Sequence, residues 1–256
     1  MPVYGLAECS VGLSFPPVGR KPLVDKVSRD LFMKKGLAKP DFDSPNSLQF
    51  VSCGSPIRGH EVRIVDDHGR ELPDRKQGRL QFRGPSTTSG YYRNPEKTRE
   101  LFDGEWLNSG DLAYIAEGEI YLVGRSKDLI IHGGKNIYPQ ELEEKISALP
   151  DIRKGCVAVF GSQNLESGTE KLIVLAETRE NDESRKSEIE ILINGVVSSL
   201  VGNAPDEVIL APPHTVLKTS SGKIRRSGCK ELYEKQSLQR RRAPWIQFVS
   251  LAVGAI

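Results

Sequence analysis

The chain is 256 residues long, with 27% charged residues and a formal net charge of +2, so it has room for one large or two ordinary domains. It carries no global field that would draw it to nucleic acid or to an anionic surface. Four cysteines, Cys9, Cys53, Cys156 and Cys229, lie scattered without C-x-x-C spacing, which fits reduced thiols in a cytoplasmic protein and argues against a disulfide framework or a structural metal.

Met1-Pro2-Val3 runs straight into Y-G-L-A-E at 4–8, with no charged-then-apolar leader before it. A long connector, 9–53, follows. Its 26–39 part, with Val27, Leu31 and Lys34-Lys35, predicts a short helix ended by Gly36, and the connector leads into V-S-C-G-S-P at 51–56. From Val62 to about Gly124 the pattern is short strands and turns. E-V-R-I-V alternates, D-D-H-G-R is a turn, G-R-L-Q-F-R-G alternates again, and E-G-E-I-Y-L-V-G reads as a hairpin strand. This predicts a small barrel or distorted sheet.

After Arg125 the pattern changes. The segment 128–132 is a short apolar strand, Gly133-Gly134 a turn, and Pro139 a first helical residue, where its missing N–H costs nothing. The helix that it opens carries Leu142, Ile146 and Leu149 as one apolar stripe. Buried strands follow at 156–160 and 172–176, separated by a polar loop. Residues 178–186 read as a solvated, charge-rich connector. A second amphipathic helix spans 188–200 through Ile189, Leu192, Val196 and Leu200, and then come a strand at 208–210 and a last helix at 230–238. The fold class expected is α+β, with a β-rich portion over 1–126 and a compact α+β domain over 127–235. In the tail, 236–256, Arg240-Arg241-Arg242 precedes a mostly apolar stretch, 243–256, which is shorter than the roughly 20 residues needed to span a bilayer. It reads as a segment packed on the domain, or as the truncated start of a membrane or fused segment with basic residues on the cytoplasmic side.

Three stretches carry candidate chemistry. W-L-N-S-G-D ends on Asp111, where glycine lets backbone approach a ligand and leaves the carboxylate free. Such a carboxylate can accept from both hydroxyls of a ribose, although an aspartate here also reads as a turn residue capping local backbone. T-S-S-G-K-I-R-R at 219–226 places Lys223 in a flexible loop. A P-loop is excluded, because Leu217 occupies the first glycine position of G-x-x-x-x-G-K-S/T and Ile224 the hydroxyl position. As a single residue Lys223 also reads as a generic surface lysine. Glu8, alone near the start, reads as an exposed glutamate. His132 and His214 have no carboxylate or nucleophile partner nearby in sequence and read as structural or exposed.

Together, Y-G-L-A-E, W-L-N-S-G-D, G-R-S-K-D-L-I-I-H-G-G-K-N-I-Y-P-Q-E-L-E and T-S-S-G-K-I-R-R resemble, in order, the adenylate-forming superfamily of acyl-CoA synthetases, luciferases and peptide-synthetase adenylation domains. The resemblance covers nearly the whole chain and is nearest to the fatty acyl-AMP ligase branch. It implies the β-rich C-terminal part of the large AMP-binding domain followed by the small mobile lid domain, since the family's Gly/Ser/Thr-rich phosphate loop is not among these residues.

The same resemblance implies roles. Tyr4 lies against adenine, Glu8 holds the Mg²⁺ that bridges the ATP phosphates, and Asp111 binds ribose with Arg125 as a second partner. Lys127 is the hinge, Gly134 leaves room for a pantetheine thiol, and Lys223 stabilises charge at the α-phosphate. It implies ATP and Mg²⁺ as cofactors and a fatty acid as substrate. The thiol of an acyl carrier protein is favoured as acceptor, because the long 9–53 connector and V-S-C-G-S-P resemble ligases that disfavour CoA. CoA is the runner-up, and a non-catalytic docking module for a carrier protein is the reading from another class. Ala7 replaces the family's frequent threonine, Arg79 stands where glutamate is common and Asn136 where many members carry arginine. K-N-I-Y-P-Q does agree with the acyl-AMP ligase pattern. Membrane contact is expected only through the tail.

Overall fold

In the computed structural model, which describes residues 1–163 and 170–235, the chain divides into two units. The first comprises Met1–Leu129 with Gly134–Asn136, and the second comprises Ile130–Gly133 and the residues from Ile137 onward.

The first unit contains strands β1 (Ser14–Phe15), β2 (Val24–Val27), β3 (Leu48–Val51), β4 (Ser55–Pro56), β5 (Glu61–Val65), β6 (Gly78–Arg83), β7 (Phe102–Asp103), β8 (Trp106–Ala116) and β9 (Glu119–Arg125). Its helices are α1 (Arg29–Lys35) and α2 (Pro95–Leu101). The alternating segments form a five-stranded antiparallel sheet in the order β5-β6-β8-β7, with β9 also paired to β8. Register follows the hydrophobic pattern: Val62 faces Phe82 and Ile64 faces Leu80, and Ile64, Leu80 and Phe82 are buried with Leu107, Ala113 and Ile120. The motif W-L-N-S-G-D is the first half of β8, so Asp111 sits within the sheet, opposite Arg125 of β9.

The connector 9–53 is an ordered part of this unit. β2 and β3 pair as an antiparallel ribbon, and α1 ends at Gly36, whose φ of 60° lets its amide bond the carbonyls of Leu31 and Phe32. Phe32 packs 4.9 Å from Phe50 and 5.9 Å from Tyr114, which stacks on Tyr121 at 5.0 Å. Beneath this cluster Asp25, 6% exposed, accepts from Arg75 at 2.9 Å and from the Tyr114 hydroxyl at 2.8 Å. Burial, with the Asp25 carboxylate, holds the Tyr114 phenol well above its ordinary range. Removing one partner of a buried ion pair strands the others. Asp25→Ala is therefore expected to cost about 3 kcal/mol, read as a lowered midpoint in urea unfolding; an unchanged midpoint contradicts the assignment.

The second unit contains β10 (Ile130–His132), the end of β11 (Lys135–Ile137), β12 (Ile152–Gln163), β13 (Glu170–Thr178) and β14 (Glu207–Ala211). Its helices are α3 (Pro139–Ser147), α4 (Glu183–Val201) and α5 (Arg226–Glu234). Its sheet runs β12-β13-β14, antiparallel and then parallel, and α4 supplies the crossover that the parallel step requires. Ala158, Phe160, Ile173, Leu175, Ala211, Val216 and Cys229 form a core cluster.

Several sequence expectations shift here. α3 does begin at Pro139, but it stops at Ser147, leaving Leu149 half-buried beyond it. The supposed connector 178–186 holds the first turn of α4, because Asp182 caps it by accepting from the amides of Ser184 and Arg185. The buried face of α4 is Ile189, Ile193, Val197 and Val201, and Leu192 is 44% exposed. Two four-residue apolar rows sharing Ile189 run along this helix, and packing in the second unit buries the one that ends on Val201. α5 starts at Arg226 rather than 230. The polar loop at 164–169, the end of the last expected helix and the tail lie outside the described residues.

Candidate active site

In the first unit, Y-G-L-A-E forms a loop that closes on itself. Tyr4 donates its amide to the Ser14 carbonyl at 3.1 Å and accepts from the amides of Leu13 and Ser14. Gly5 makes the closure possible, since a Cβ there would lie 1.5 Å from the Val11 carbonyl oxygen. Residues Ala7–Cys9 form a 3-10 turn that presents Glu8, and Ser10 and Val11 follow with φ of 47° and 80°. A β-branched residue at positive φ is strained, and the strain lies two residues from one strand of the loop's closure.

Tyr4, Asp111 and Arg125 come together. The Tyr4 hydroxyl donates to Asp111 Oδ2 at 2.5 Å, Arg125 Nε lies 2.8 Å from Asp111 Oδ1, and the Asp111 amide donates to Ser109 Oγ at 3.0 Å. Asp111 is thus not the free carboxylate expected from S-G-D: long-range folding gives each oxygen a partner, with lone pairs remaining on both. Burial raises its carboxyl above the ordinary range, opposed by the Tyr4 hydrogen bond and Arg125 and assisted by the charges of Glu8 and Asp128. Tyr4 is only 7% exposed, its ring within the core cluster, and burial followed by the Asp111 charge pushes its phenol far up. The guanidinium of Arg125 is half exposed, so the outer rim of this constellation is cationic while its interior is acidic.

Glu8 stands beside this group. Its Oε1 accepts from the Tyr91 hydroxyl at 2.6 Å, and its carbonyl accepts from the Thr88 amide at 2.8 Å. The hydrogen bond to Glu8, more than burial, pushes the Tyr91 phenol up to about 12. Sequence reading missed Tyr91, whose G-Y-Y context holds no local sign that it meets a residue 83 positions earlier. Arg79, one of the departures from the family pattern, donates to the Asp66 carbonyl at 2.8 Å and pins the turn after β5.

Lys127 is exposed in a 3-10 turn, Ser126–Asp128, two residues before the division at Leu129, and the turn is fastened by Ser126 donating to the Gly110 carbonyl at 3.0 Å. Gly134 has φ of 71°, and apart from Gly134 and its chain neighbours no atom of the described residues lies within 4 Å of where its Cβ would be.

Lys223 belongs to the second unit, at a hairpin tip. Lys218 bridges to Ile224, the Thr219 amide donates to the Lys223 carbonyl at 2.8 Å, the Gly222 amide donates to Thr219 O at 2.9 Å, and the Lys223 amide donates to Thr219 Oγ1 at 3.1 Å. Gly222 takes the φ of 82° that this tight turn needs. The Lys223 side chain is exposed, and its amine has no hydrogen bond or ion pair among the described residues. His132 is a cross-strand tie, with Nδ1 2.9 Å from the Glu170 carbonyl and 3.5 Å from Asp206.

Comparison with known proteins bears on what these residues serve. Residues 1–92 match the family described as AMP-binding enzyme. A putative acyl-CoA synthetase of Caulobacter vibrioides is 31% identical over 236 residues, covering 90% of this chain and 40% of that protein. A putative fatty-acid–CoA ligase of Mycobacterium leprae is 30% identical over 259 residues, covering 94% and 43%. A structure from work on fatty acyl-adenylate ligases of E. coli and L. pneumophila superposes with a TM-score of 0.82 at 33% identity, over 92% of this chain and 41% of that one. McyG A-PCP complexed with phenylalanyl-adenylate gives 0.74 at 32% identity, over 93% and 40%. This chain therefore spans about two fifths of the length of such relatives. The motifs, the strand-rich mixed fold and these likenesses agree: the chain is similar, over about two fifths of their length, to adenylate-forming, AMP-binding enzymes, and its residues 1–92 match that family's model.

Proposed function

We propose that the enzyme carrying this chain activates a fatty acid with ATP, releasing pyrophosphate to give acyl-AMP, and then passes the acyl group to the phosphopantetheine thiol of an acyl carrier protein. The observation that carries this reading is the joining of Tyr4, Asp111 and Arg125, with Glu8 adjacent, from motifs more than a hundred residues apart. Asp111 retains acceptor capacity for two ribose hydroxyls, and Tyr4 and Arg125 hold its carboxylate in one orientation. Likeness to fatty-acid ligases supports the substrate class, and the ordered 9–53 segment supports a carrier protein over CoA.

Among the described residues no group of three or more His, Cys, Asp or Glu is placed to cage a metal. Mg²⁺ suits what is present, because it binds through one or two carboxylates plus substrate phosphates. The charges of Glu8 and Asp128 both act on Asp111, and a cation would offset such negative charge when a polyphosphate binds. Glu8 is the residue to hold the ion, which would neutralise phosphate charge. Attack of the fatty carboxylate on the α-phosphorus forms the acyl–phosphate bond and expels pyrophosphate. Lys223 stabilises the negative charge that builds on the non-bridging oxygens. For the second half-reaction Lys223 withdraws, with the backbone near Lys127 absorbing the rotation, and the thiol enters past the bare Gly134.

Pyrophosphate release over a panel of fatty acids, followed by thioester formation with holo carrier protein and with CoA, tests the reading. Failure with every fatty acid overturns the substrate assignment, and preference for CoA overturns the acceptor. A chain that binds carrier protein while the enzyme releases no pyrophosphate supports the docking-module reading instead. Because Tyr91 orients Glu8, Tyr91→Phe is expected to raise the Mg²⁺ concentration for half-maximal activity about tenfold. An unchanged Mg²⁺ dependence removes that role.

A further inference from the structure

Glu143 and Arg226 form a buried ion pair in the second unit that the proposed chemistry leaves unexplained. Glu143 lies on the inner face of α3 at 6% exposure, a place where an unpaired charge is heavily penalised. Its Oε1 accepts from the Val159 amide of β12 at 3.0 Å and from Arg226 Nε at 2.8 Å, and its Oε2 accepts from Arg226 Nη2 at 2.6 Å. Arg226 is the first residue of α5, the positive end of the helix dipole, where a cation is disfavoured. Its position thus does not serve the helix. It lies three residues after Lys223, where the hairpin joins α5.

The hairpin's base is held by further contacts. Arg225 donates its amide to the Leu217 carbonyl at 2.8 Å, the Leu217 amide donates to Cys229 Sγ at 3.3 Å, and Gly228 has no Cβ to strike Leu217 Cδ1, which it would meet at 2.9 Å. An apolar contact could pack α5 on β12 without desolvating two charges, but it would tolerate sliding. A two-pronged guanidinium–carboxylate fork specifies distance and angle together.

We propose that Glu143 and Arg226 are positioning residues for Lys223: the fork fixes where the hairpin leaves the sheet and hence where its amine reaches. This rests on the reading of Lys223 given above. A misplacement of about 1 Å in a catalytic group is worth on the order of a hundredfold in rate.

The test uses Arg226→Lys and Arg226→Met in the full enzyme, with wild type and Lys223→Ala alongside. Acyl-AMP formation is read by pyrophosphate exchange, transfer is read from supplied acyl-AMP, and amide hydrogen exchange is followed in the same proteins. Both Arg226 variants are expected to lower kcat for acyl-AMP formation by about 30- to 100-fold, with KM for ATP and the transfer rate within about threefold. The amides of Thr219, Gly222 and Lys223 should exchange at least about tenfold faster while those of β12 and β13 hold. The lysine variant keeps a positive charge opposite the Glu143 carboxylate and guards against loss of folding. Equal loss in both half-reactions, or unchanged exchange at the hairpin, overturns the proposal. If Lys223→Ala leaves acyl-AMP formation intact, the reading of Lys223 fails, and the exchange data still report whether the fork holds the hairpin.

Discussion

Replacing Lys223 with alanine is expected to lower the rate of acyl-AMP formation about 10²- to 10³-fold, the usual cost of removing one preorganised group that meets developing charge. Transfer from supplied acyl-AMP should stay within a few-fold of wild type. The asymmetry follows from the chemistry. In-line attack on the α-phosphorus concentrates negative charge on oxygens that an ammonium can meet, whereas thiol attack on the acyl carbonyl puts the charge elsewhere. What supports this expectation is an exposed amine without a partner among the described residues, on a hairpin stiffened by backbone hydrogen bonds. A lysine engaged in an ion pair would first have to break it. Single-turnover measurement of each half-reaction decides the matter, and a comparable loss in both would mean that Lys223 maintains structure rather than acting on the phosphate.

The features legible in the sequence are those set by neighbours along the chain. Gly36 ends α1 because a left-handed residue is needed there, and Pro139 opens α3 because its ring suits the first turn. The alternation in 61–65 and 78–83 sets one face of a sheet inward. The face of α4 was misread because two apolar rows share that helix, and only tertiary packing chooses Ile193 and Val197 over Leu192. The candidate site divides in the same way. Asp111, Arg125, Glu8 and Lys223 are candidates that motifs single out, but the long-range side-chain pairings are not readable from them. Tyr91 on Glu8, Tyr4 on Asp111 and Arg226 on Glu143 are pairings across 83, 107 and 83 positions, which no local pattern records.

Asp111→Asn separates the demands of binding from those of folding. Hydrogen bonds from two ribose hydroxyls to a carboxylate are worth about 3 kcal/mol more than the few that a neutral amide can keep, so nucleotide affinity should fall roughly a hundredfold. Stability should barely move. Burial raises the Asp111 carboxyl in the folded protein above its ordinary 3.8, so the folded state favours the protonated form. Its favourable contribution to stability is therefore complete below the unfolded-state pKa and is lost as pH rises through the raised folded value. At neutral pH the ionised carboxylate is maintained at a cost that asparagine does not incur. Against that gain, the amide keeps one acceptor oxygen for Tyr4 and turns its NH₂ toward Arg125, which is exposed enough to hydrate. Nucleotide affinity of the wild type should weaken as acid protonates Asp111, with a midpoint above 3.8, while the variant's affinity stays flat across that range. Calorimetric titration with ATP from pH 4.5 to 7.5 on the order of half-unit steps, alongside thermal unfolding, reads both effects. Wild-type affinity in the asparagine variant would remove Asp111 from nucleotide recognition, and a collapse of its melting temperature would make the carboxylate a structural group instead.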